Sequence, residues 1–355
     1  MIDKYKQLEI RRLLKEWYEE NKRCLPWRQT NDPYKIWISE VILQQTRVAQ
    51  GLNYYLRFIN RFPSVKSLAE STEEDVLRVW QGLGYYSRAR HLHSAAQMVL
   101  TEYNGLIPDT YNELKSLKGI GEYTSAAILS TAYNKPFAVV DGNVFRVLSH
   151  IFAIKTPIDT STGKKEFAQL AQELLDITSP GTHNQALMEF GALHCTPKLP
   201  QCDVCPLSEY CVANKLNIQN DLPVKIQKTK IRKRYFHYFE VNIDGYIYLK
   251  KREEKDIWKN LYEFPLIETE TEECFTELIE TPSFKEMFQN IEITFCNFKS
   301  QVKHILTHQH IYANFYEFKL SNISTRFDSA FLRVKKEDIY KYPIPRLIHR
   351  YLDQK

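Results

Sequence analysis

Two carboxylates, Glu40 and Asp141, lie in local sequences that predict opposite protonation states. On a helix, Glu40 neighbours Trp37 and Leu43, and apolar surroundings raise the pKa of a carboxyl group because they disfavour its charged form. Asp141 directly precedes an apolar helical stretch, and the amides and macrodipole of a helix N-terminus favour a negative charge. One group could then donate a proton while the other remains an anion, as cleavage of a glycosyl bond requires.

Both carboxylates also have an ordinary structural interpretation. A single glutamate on a helix is most often exposed to solvent, and an aspartate before a helix is most often only its N-cap. The second interpretation is compatible with the first, because a capping carboxylate can also be catalytic. The sequence around each residue therefore leaves both interpretations open.

A glycine-containing turn from Leu117 to Gly121 precedes a helix rich in small residues. Gly119 and Gly121, two positions apart, suit a hairpin whose backbone amides bind phosphate at a helix N-terminus. An ordinary turn between two helices explains the same residues. We expect this hairpin to bind DNA only if the rest of the chain indicates a nucleic-acid partner.

Four of the seven cysteines form a C-x6-C-x2-C-x5-C run, which consists of Cys195, Cys202, Cys205 and Cys211. Four thiolates this close together predict a metal site, and their spacing does not separate zinc from an iron-sulfur cluster. The odd total argues against a disulfide framework. We interpret the scattered Cys24, Cys274 and Cys296 as core thiols.

Two further segments combine residue types that suit nucleic-acid recognition. Gln44, Gln45 and Thr46 are uncharged hydrogen-bonding residues that could read a base edge or fill a gap in a duplex, although they could equally be ordinary surface residues. The loop from Gly82 to Arg90 contains glycines, tyrosines and arginines, which can stack on bases and neutralise phosphate. A turn with its tyrosines packed on a core is as probable. The predicted DNA contacts in this loop are Leu83, Tyr85 and Arg88.

Length and composition indicate two globular domains. The 355 residues carry a formal net charge of +5, with 43% hydrophobic and 26% charged residues. A mildly basic chain permits a polyanionic partner without establishing one. Neither an export signal nor an apolar run long enough for a bilayer is present in the sequence, which predicts a cytoplasmic, nucleoid-associated protein without a membrane partner.

The pattern of apolar residues predicts helices first and strands later. Helical spacing extends over 5–22, 34–58 and 64–80, the last with Ser71 and Glu74 as a capping box. We therefore predict an all-α region over 1–222 with two helical lobes and a cysteine loop at 195–211, followed by a basic linker at 223–234. An α+β domain follows at 235–355, beginning with a hairpin at Asp244-Gly245.

The basic run inside the predicted linker contains lysines and arginines but no acidic residue, as expected of a connector close to DNA or of a plain solvated linker. Its members are Lys225, Lys228, Lys230, Arg232, Lys233 and Arg234. In the second domain, a histidine-rich loop from Lys303 to His310 precedes an aromatic strand at 312–318. Because no carboxylate is close in sequence, we expect this loop to hydrogen-bond a ligand rather than to bind a metal.

Five segments in this order resemble the MutY adenine DNA glycosylases. They are Trp37 to Thr46, Gly82 to Arg90, Leu117 to Gly121, Val140 to Val144, and the cysteine run. The resemblance covers nearly the whole chain. It implies a helix-hairpin-helix glycosylase with a [4Fe-4S] cluster, followed by a Nudix-like domain that inspects 8-oxoguanine.

The resemblance also implies a role for individual residues. Glu40 matches the acid that protonates the extruded adenine, and Asp141 matches the carboxylate that stabilises the oxocarbenium ion. Tyr123 matches a tyrosine beside the sugar, where endonuclease III relatives have a Schiff-base lysine, so a monofunctional glycosylase is expected. Asn143 would orient Asp141.

Further resemblance concerns recognition of the lesion. Gln45 and Tyr85 match wedge residues, while Thr307 and His308 match the tip of the 8-oxoguanine reader, where the family more often has serine in place of Thr307. The acid-rich metal-binding helix of Nudix hydrolases is missing after Phe264-Pro265, which predicts a domain that reads but does not hydrolyse. The expected partner is double-stranded DNA containing A:8-oxoguanine or A:G, bound by a monomer.

Overall fold

The computed structural model describes residues 3–226 and 230–354. They form two compact units, each built from two stretches of the chain. The first unit comprises Met1–Glu70 and His91–Gln227, and the second comprises Ser71–Arg90 and Lys228–Lys355. Among the described residues, no helix is both long and apolar enough to cross a lipid bilayer.

The segment 71–90 belongs to the second unit, whereas the sequence predicted a helical region that continues without interruption to residue 222. Hydrogen bonds give the physical reason, because polar side chains at both ends of this segment have partners far along the chain. Asn260 Nδ2 donates to Glu73 Oε1, and Arg90 Nη1 donates to the Lys259 carbonyl at 2.6 Å. The helical domain predicted from sequence is thus not one contiguous stretch.

Helices form most of the described residues before 226, as the sequence predicted. They are α1 (Lys4–Asn21), α2 (Pro33–Leu43), α3 (Val48–Arg61), α4 (Val65–Ala69), α5 (Glu73–Trp80), α6 (Ser87–Glu102), α7 (Tyr111–Ser116), α8 (Glu122–Ala132), α9 (Gly142–Phe152), α10 (Ser161–Leu174), α11 (Pro180–Leu193) and α12 (Val212–Leu216). A buried cluster of α1, α9, α10 and α11 residues, including Leu14, Leu148 and Phe167, holds the helices around α9 together.

Two helix boundaries differ from the predicted ones. The predicted run over 34–58 is interrupted between α2 and α3, where Gln44 leaves the helical conformation and Gln45 has a φ of 57°. The predicted cap at Ser71 is wrong by one position, because Thr72 is the N-cap and accepts a hydrogen bond from Asp75 N at 3.1 Å. Local capping chemistry, which the hydrophobic spacing does not record, determines the second of these boundaries.

A mixed β-sheet forms the centre of the second unit, as expected for an α+β domain. Its strands are β1 (Arg232–Ile243), β2 (Tyr246–Lys251), β3 (Tyr262–Glu263), β4 (Leu266–Thr269), β5 (Ile293–Ile305), β6 (Gln309–Leu320) and β7 (Leu332–Lys335). The main order is β3-β2-β1-β6-β5, with β4 on β1 and β7 on β2. Strands β1 and β6 are parallel, and the other pairs are antiparallel.

Helices cover both faces of this sheet. They are α13 (Phe275–Leu278), α14 (Pro282–Met287), α15 (Thr325–Ala330) and α16 (Arg346–Leu352). Phe239 and Phe284 pack on one face, and Phe315 stacks on Tyr351 of α16 at 4.2 Å on the other. The predicted β1–β2 hairpin is confirmed: Asp244 and Gly245 have φ values of 49° and 80°, as a two-residue turn of this kind requires.

Two predictions about individual residues are wrong. The predicted linker ends early, because Arg232 to Arg234 belong to β1, and Arg234 is only 5% exposed since it has carboxylate partners in the fold. Lys228 of the basic run lies outside the described residues. The three scattered cysteines are exposed rather than buried in a core, because their neighbours place them at the surface; they are Cys24, Cys274 and Cys296.

Candidate active site

A cleft of about 630 Å³ opens in the first unit, bordered by α2, α8, α9 and α11. Its wall contains residues that lie far apart in the sequence. Those predicted from sequence are Glu40, Gln45, Thr46, Tyr123, Asp141 and Asn143. The fold thus brings the two predicted carboxylates and the predicted tyrosine to one concave surface, as expected of a site built for chemistry.

Glu40 lies in the third turn of α2, a helix that Asp32 caps and Pro33 begins. The side chain is 7% exposed, so the interpretation of Glu40 as a solvent-exposed helical residue is wrong. Burial raises the pKa of Glu40 to about 7; a hydrogen bond from Tyr123 opposes the rise, and the charge of Asp141 adds to it. A carboxyl group in this environment can hold a proton near neutral pH.

Asp141 is the N-cap of α9, as predicted. Its Oδ1 accepts hydrogen bonds from Asn143 N at 2.9 Å and Val144 N at 2.8 Å, and its Oδ2 accepts one from Asn143 Nδ2 at 2.8 Å. Burial raises the pKa of Asp141, while these hydrogen bonds lower it in opposition. The sequence predicted that the helix N-terminus would favour the charged form of Asp141; the net shift of its pKa is nevertheless upward, because burial outweighs the hydrogen bonds.

Asn143 connects this carboxylate to a buried arginine. Arg146 Nη2 donates to Asn143 Oδ1 at 3.0 Å and to the Gly191 carbonyl at 2.6 Å, and its Nε donates to the Cys195 carbonyl at 2.7 Å. A continuous set of hydrogen bonds thus runs from Asp141 to the first residue of the cysteine run. Such a network fixes the orientation of the carboxylate.

Tyr123 is in the first turn of α8, which follows the predicted glycine turn. Its hydroxyl contacts Glu40 by a hydrogen bond and lies 3.6 Å from Met188 Sδ. Only one of the two glycines needs special backbone freedom: Gly119 has a φ of 82°, whereas Gly121 is extended and caps the helix. A β-carbon at Gly119 would lie 2.8 Å from His91 Cβ.

Several polar residues of the cleft were missed by the sequence analysis, among them Arg23, Arg28, Gln185 and Glu189. Arg23 and Arg28 both make bidentate ion pairs with Glu189, and Arg28 Nε donates to Gln185 Oε1 at 3.0 Å. Burial raises the pKa of Glu189, but hydrogen bonds from the two arginines prevail and lower it to about 2. No local pattern marks these residues, since the arginines precede α2 and their partners lie on α11.

Gln45 and Thr46 form the lip of the cleft between α2 and α3. Gln45 is exposed and adopts a left-handed backbone conformation, which is unfavourable for a residue with a side chain. Strained backbone of this kind concentrates at sites of recognition. The geometry is compatible with the predicted contact to DNA.

The four cysteines of the run line a second cavity in the first unit, whose walls include Val147, Ile151 and Leu207. Among the described residues, no three or more His, Cys, Asp or Glu side chains converge on a point where they could hold one metal ion. Zinc needs four ligands at about 2.3 Å from a single centre. Four cysteine sulfurs around one cavity are the donor set that an iron-sulfur cluster or a structural zinc ion uses.

The second unit contains the other predicted recognition residues. Thr307 and His308 are exposed in the turn between β5 and β6, and the Tyr85 hydroxyl hydrogen-bonds Thr307 Oγ1. Tyr85 is 47% exposed and has a φ of 48°. The predicted histidine loop is shorter than expected, because β5 continues to Ile305 and β6 begins at Gln309.

The predicted DNA contacts at Leu83 and Arg88 do not fit the structure. Leu83 is buried, and the Arg88 guanidinium packs over the rings of Trp80 and Tyr85. Burial lowers the pKa of Arg88 to about 10. Both side chains pack within the loop that carries Tyr85 rather than at a surface open to DNA.

Comparison with known proteins defines the class. Residues 38–175 match the family described as "HhH-GPD superfamily base excision DNA repair protein", and residues 237–354 match a NUDIX domain. A solved thermostable thymine-DNA glycosylase superimposes with a TM-score of 0.56 at 27% identity, covering 60% of this chain and 98% of its own. The predicted fold, a helix-hairpin-helix glycosylase region followed by a Nudix-like domain, is confirmed.

Two relatives then narrow the family. An adenine DNA glycosylase of Buchnera aphidicola subsp. Baizongia pistaciae is 34% identical over 84% of this chain and 82% of its own. One from Buchnera aphidicola subsp. Schizaphis graminum is 33% identical over 88% of this chain and 91% of its own. The chain belongs to the adenine DNA glycosylase family, which confirms the resemblance noted in its motifs.

Proposed function

We propose that this protein removes adenine paired with 8-oxoguanine or guanine from duplex DNA, hydrolysing the N-glycosidic bond without a strand-cleaving step. The observation that carries the proposal is the meeting of Glu40, Tyr123 and Asp141 in one cleft, where burial raises the pKa of Glu40 to about 7. The choice of adenine as the excised base is inferred from the relatives named adenine DNA glycosylase.

In the proposed mechanism, adenine leaves the duplex and enters the cleft, at a cost of a few kcal/mol for unstacking. Glu40 donates its proton to N7 of the base, which makes adenine a better leaving group. The C1′–N9 bond then breaks, and its electron pair remains with adenine. The sugar becomes an oxocarbenium ion that the carboxylate of Asp141 stabilises until water adds to C1′.

Asn143 keeps Asp141 in place through two hydrogen bonds, which leaves the carboxylate's remaining lone pairs for the sugar cation. Arg28, Gln185 and Glu189 offer donors and acceptors along the same cleft that could bind the polar edge of the base. Because these groups already hydrogen-bond one another, little reorganisation is needed when the base enters.

The absence of a lyase step rests on the amino groups available. Tyr123 would lie beside the sugar, and no lysine lines the cleft among the described residues. A Schiff base needs an amine that attacks C1′. The proposed products are therefore free adenine and an intact strand with an abasic site.

A [4Fe-4S] cluster would be held by Cys195, Cys202, Cys205 and Cys211, the four cysteines that line the second cavity. Bound there, the cluster would hold the segment 195–211 together through bonds to its four thiolates. Arg146 would then hold Asn143 against a rigid segment, because its guanidinium already donates to the Cys195 carbonyl.

We further propose that Thr307, with Tyr85 and His308, reads the base opposite adenine. 8-Oxoguanine differs from guanine by an oxygen at C8 and a hydrogen on N7, so a positioned hydroxyl can distinguish the two. Gln45 and Thr46 would contact the opened duplex, and the amides around Gly119 and Gly121 its phosphates. The protein would act on DNA inside the cell, as a monomer.

The test is incubation with a duplex that contains adenine opposite 8-oxoguanine, followed by heating in alkali. We expect strand cleavage at the adenine only after alkali treatment. If alkali produces no cleavage, the proposal is wrong. Cleavage without alkali, together with a borohydride-trapped adduct, would instead indicate a lyase. Iron and sulfide analysis of the purified protein tests the cluster against zinc.

A further inference from the structure

Beneath the turn at 306–308 lies an ion-pair network, centred on a buried arginine, that the glycosylase chemistry does not use. Arg234 of β1 is 5% exposed and makes two bidentate contacts with carboxylates. Its Nη1 and Nη2 donate to Asp256 at 2.9 and 2.7 Å, while its Nε and Nη2 donate to Glu268 at 2.7 and 2.5 Å. The Phe236 ring lies 4.8 Å from the guanidinium.

The same guanidinium makes one further contact, to the first residue after the turn. Arg234 Nη1 donates to Gln309 Oε1 at 3.2 Å. Backbone hydrogen bonds fix the turn from the same side: Arg232 N donates to the His308 carbonyl at 2.9 Å, and Leu306 N donates to the Gln309 carbonyl at 2.8 Å. The tip of the turn is therefore exposed, whereas hydrogen bonds hold the residues where the turn meets the strands.

A second contact stabilises the other end of the turn, where β5 leads into it. Trp258, two positions after Asp256, has a φ of 60° and packs edge-on against His304 of β5 at 5.7 Å. His304 is 9% exposed. The segment of Asp256 and Trp258 thus contacts β5 at His304, and Arg234 of β1 connects Asp256 to Gln309, the first residue of β6.

The network is costly to form, because desolvation of the buried Arg234 guanidinium offsets much of its attraction to the two partly exposed carboxylates. Its physical advantage is geometric: a planar guanidinium with carboxylates on two edges has one orientation. The remaining N–H group of the guanidinium is then fixed in direction, and Gln309 accepts the hydrogen bond from it. A flexible lysine would not transmit position in this way.

We propose that Arg234 is a positioning residue that sets the preference for 8-oxoguanine, by holding Gln309 and therefore the 306–308 turn. This inference rests on the proposed reading role of Thr307. Because 8-oxoguanine and guanine differ at two adjacent atoms, a turn free to shift would lose the distinction while still tolerating either base.

The experiment separates the network from its link to the turn. Gln309→Leu removes the acceptor and leaves Arg234, Asp256 and Glu268 intact, whereas Gln309→Glu retains an acceptor. Gln301→Leu is the matched control, since Gln301 lies in the same hairpin but donates to Glu272 Oε1 at 3.2 Å, away from the turn. Each variant is assayed by single-turnover adenine release from A:8-oxoguanine and A:G duplexes.

We expect Gln309→Leu to lower the ratio of the two rates about tenfold, the effect of one hydrogen bond to a charged group, and to leave the A:G rate unchanged. Gln309→Glu and Gln301→Leu should retain the ratio. An unchanged ratio for Gln309→Leu, or an equal loss on both duplexes, would overturn the proposal.

Hydrogen exchange of the 303–310 amides in the full-length protein tests the clamp without any enzymatic readout. Faster exchange in Gln309→Leu than in Gln301→Leu is expected, and equal protection in the two variants would contradict the clamp. Absence of adenine release by the unaltered protein would count against the proposed function, whereas the exchange result would still decide whether Arg234 holds the turn.

Discussion

Glu40 is 7% exposed at the wall of a cleft, whereas Thr307 is exposed at the tip of a turn. Both are proposed to contact a base, yet their surroundings differ in kind. Glu40 lies on a helix among apolar side chains, and its pKa rises to about 7 because it is desolvated. Thr307 lies above an ion-pair network centred on the buried Arg234, and its own side chain is exposed, with its hydroxyl hydrogen-bonded to that of Tyr85.

The difference follows from the two tasks. Proton transfer requires a carboxyl group whose acidity is changed, and burial is the means of changing it. Discrimination between two bases requires a donor or acceptor that stays at one position and remains accessible. The first region therefore buries the functional group itself, and the second buries the groups that hold it.

The largest expected effect is at Glu40. Glu40→Gln should lower adenine release by about a thousandfold or more, because the amide has no proton to give, while duplex binding is retained. Release is measured by alkali cleavage and binding by gel shift. Glu122→Gln, on the exposed first turn of α8, is the matched control and should leave the rate unaltered. Normal turnover of Glu40→Gln would remove it from the mechanism.

The pH dependence of adenine release tests whether burial raises the pKa of Glu40. Glu40 must be protonated to act, so the rate should fall about tenfold per pH unit above its pKa of about 7. Asp141 must be ionised, and because its pKa is raised by burial the rate should also fall on the acid side. Single-turnover rates across the range test this. A rate that stays constant into alkaline solution would contradict the raised pKa of Glu40.

The two glycines before α8 offer a smaller, paired comparison. Gly119→Ala should reduce the free energy of unfolding by about 1–2 kcal/mol, because alanine is unfavourable at a φ of 82° and its β-carbon meets His91. Gly121→Ala meets no neighbour within 4 Å and needs no positive φ, so it should cost less than Gly119→Ala, its only penalty being that alanine is a poorer N-cap residue than glycine. Urea denaturation of both variants checks this, and equal free energies of unfolding would contradict the claim that only Gly119 needs the backbone freedom of glycine.

The smallest expected effect lies at the turn. Tyr85→Phe removes the hydroxyl that contacts Thr307 and should lower the preference for 8-oxoguanine over guanine a few-fold, by about 1 kcal/mol. Adenine release from the A:G duplex should stay constant, which makes that duplex the internal control. A fall in both rates would indicate that Tyr85 acts in catalysis or folding instead.

Prediction from sequence succeeded where a local pattern carries the physics. The cap at Asp141 and the hairpin at Asp244-Gly245 follow from a few adjacent residues. It failed where burial depends on distant segments: Arg88 and Arg234 look like surface cations in the sequence, but the fold surrounds them with aromatic rings and carboxylates. The exposed Cys24 shows the converse error, because an isolated thiol has no periodic signal.

The sequence by itself determined the class of fold, the cysteine run and the identity of the two carboxylates, since each depends on residue type and short-range spacing. Only the tertiary structure placed Glu40 and Asp141 in one cleft, added Arg28 and Glu189 to its wall, and assigned 71–90 to the second unit. The reason is that desolvation and ion pairing depend on contacts between segments far apart in the chain. A linear sequence does not contain those distances.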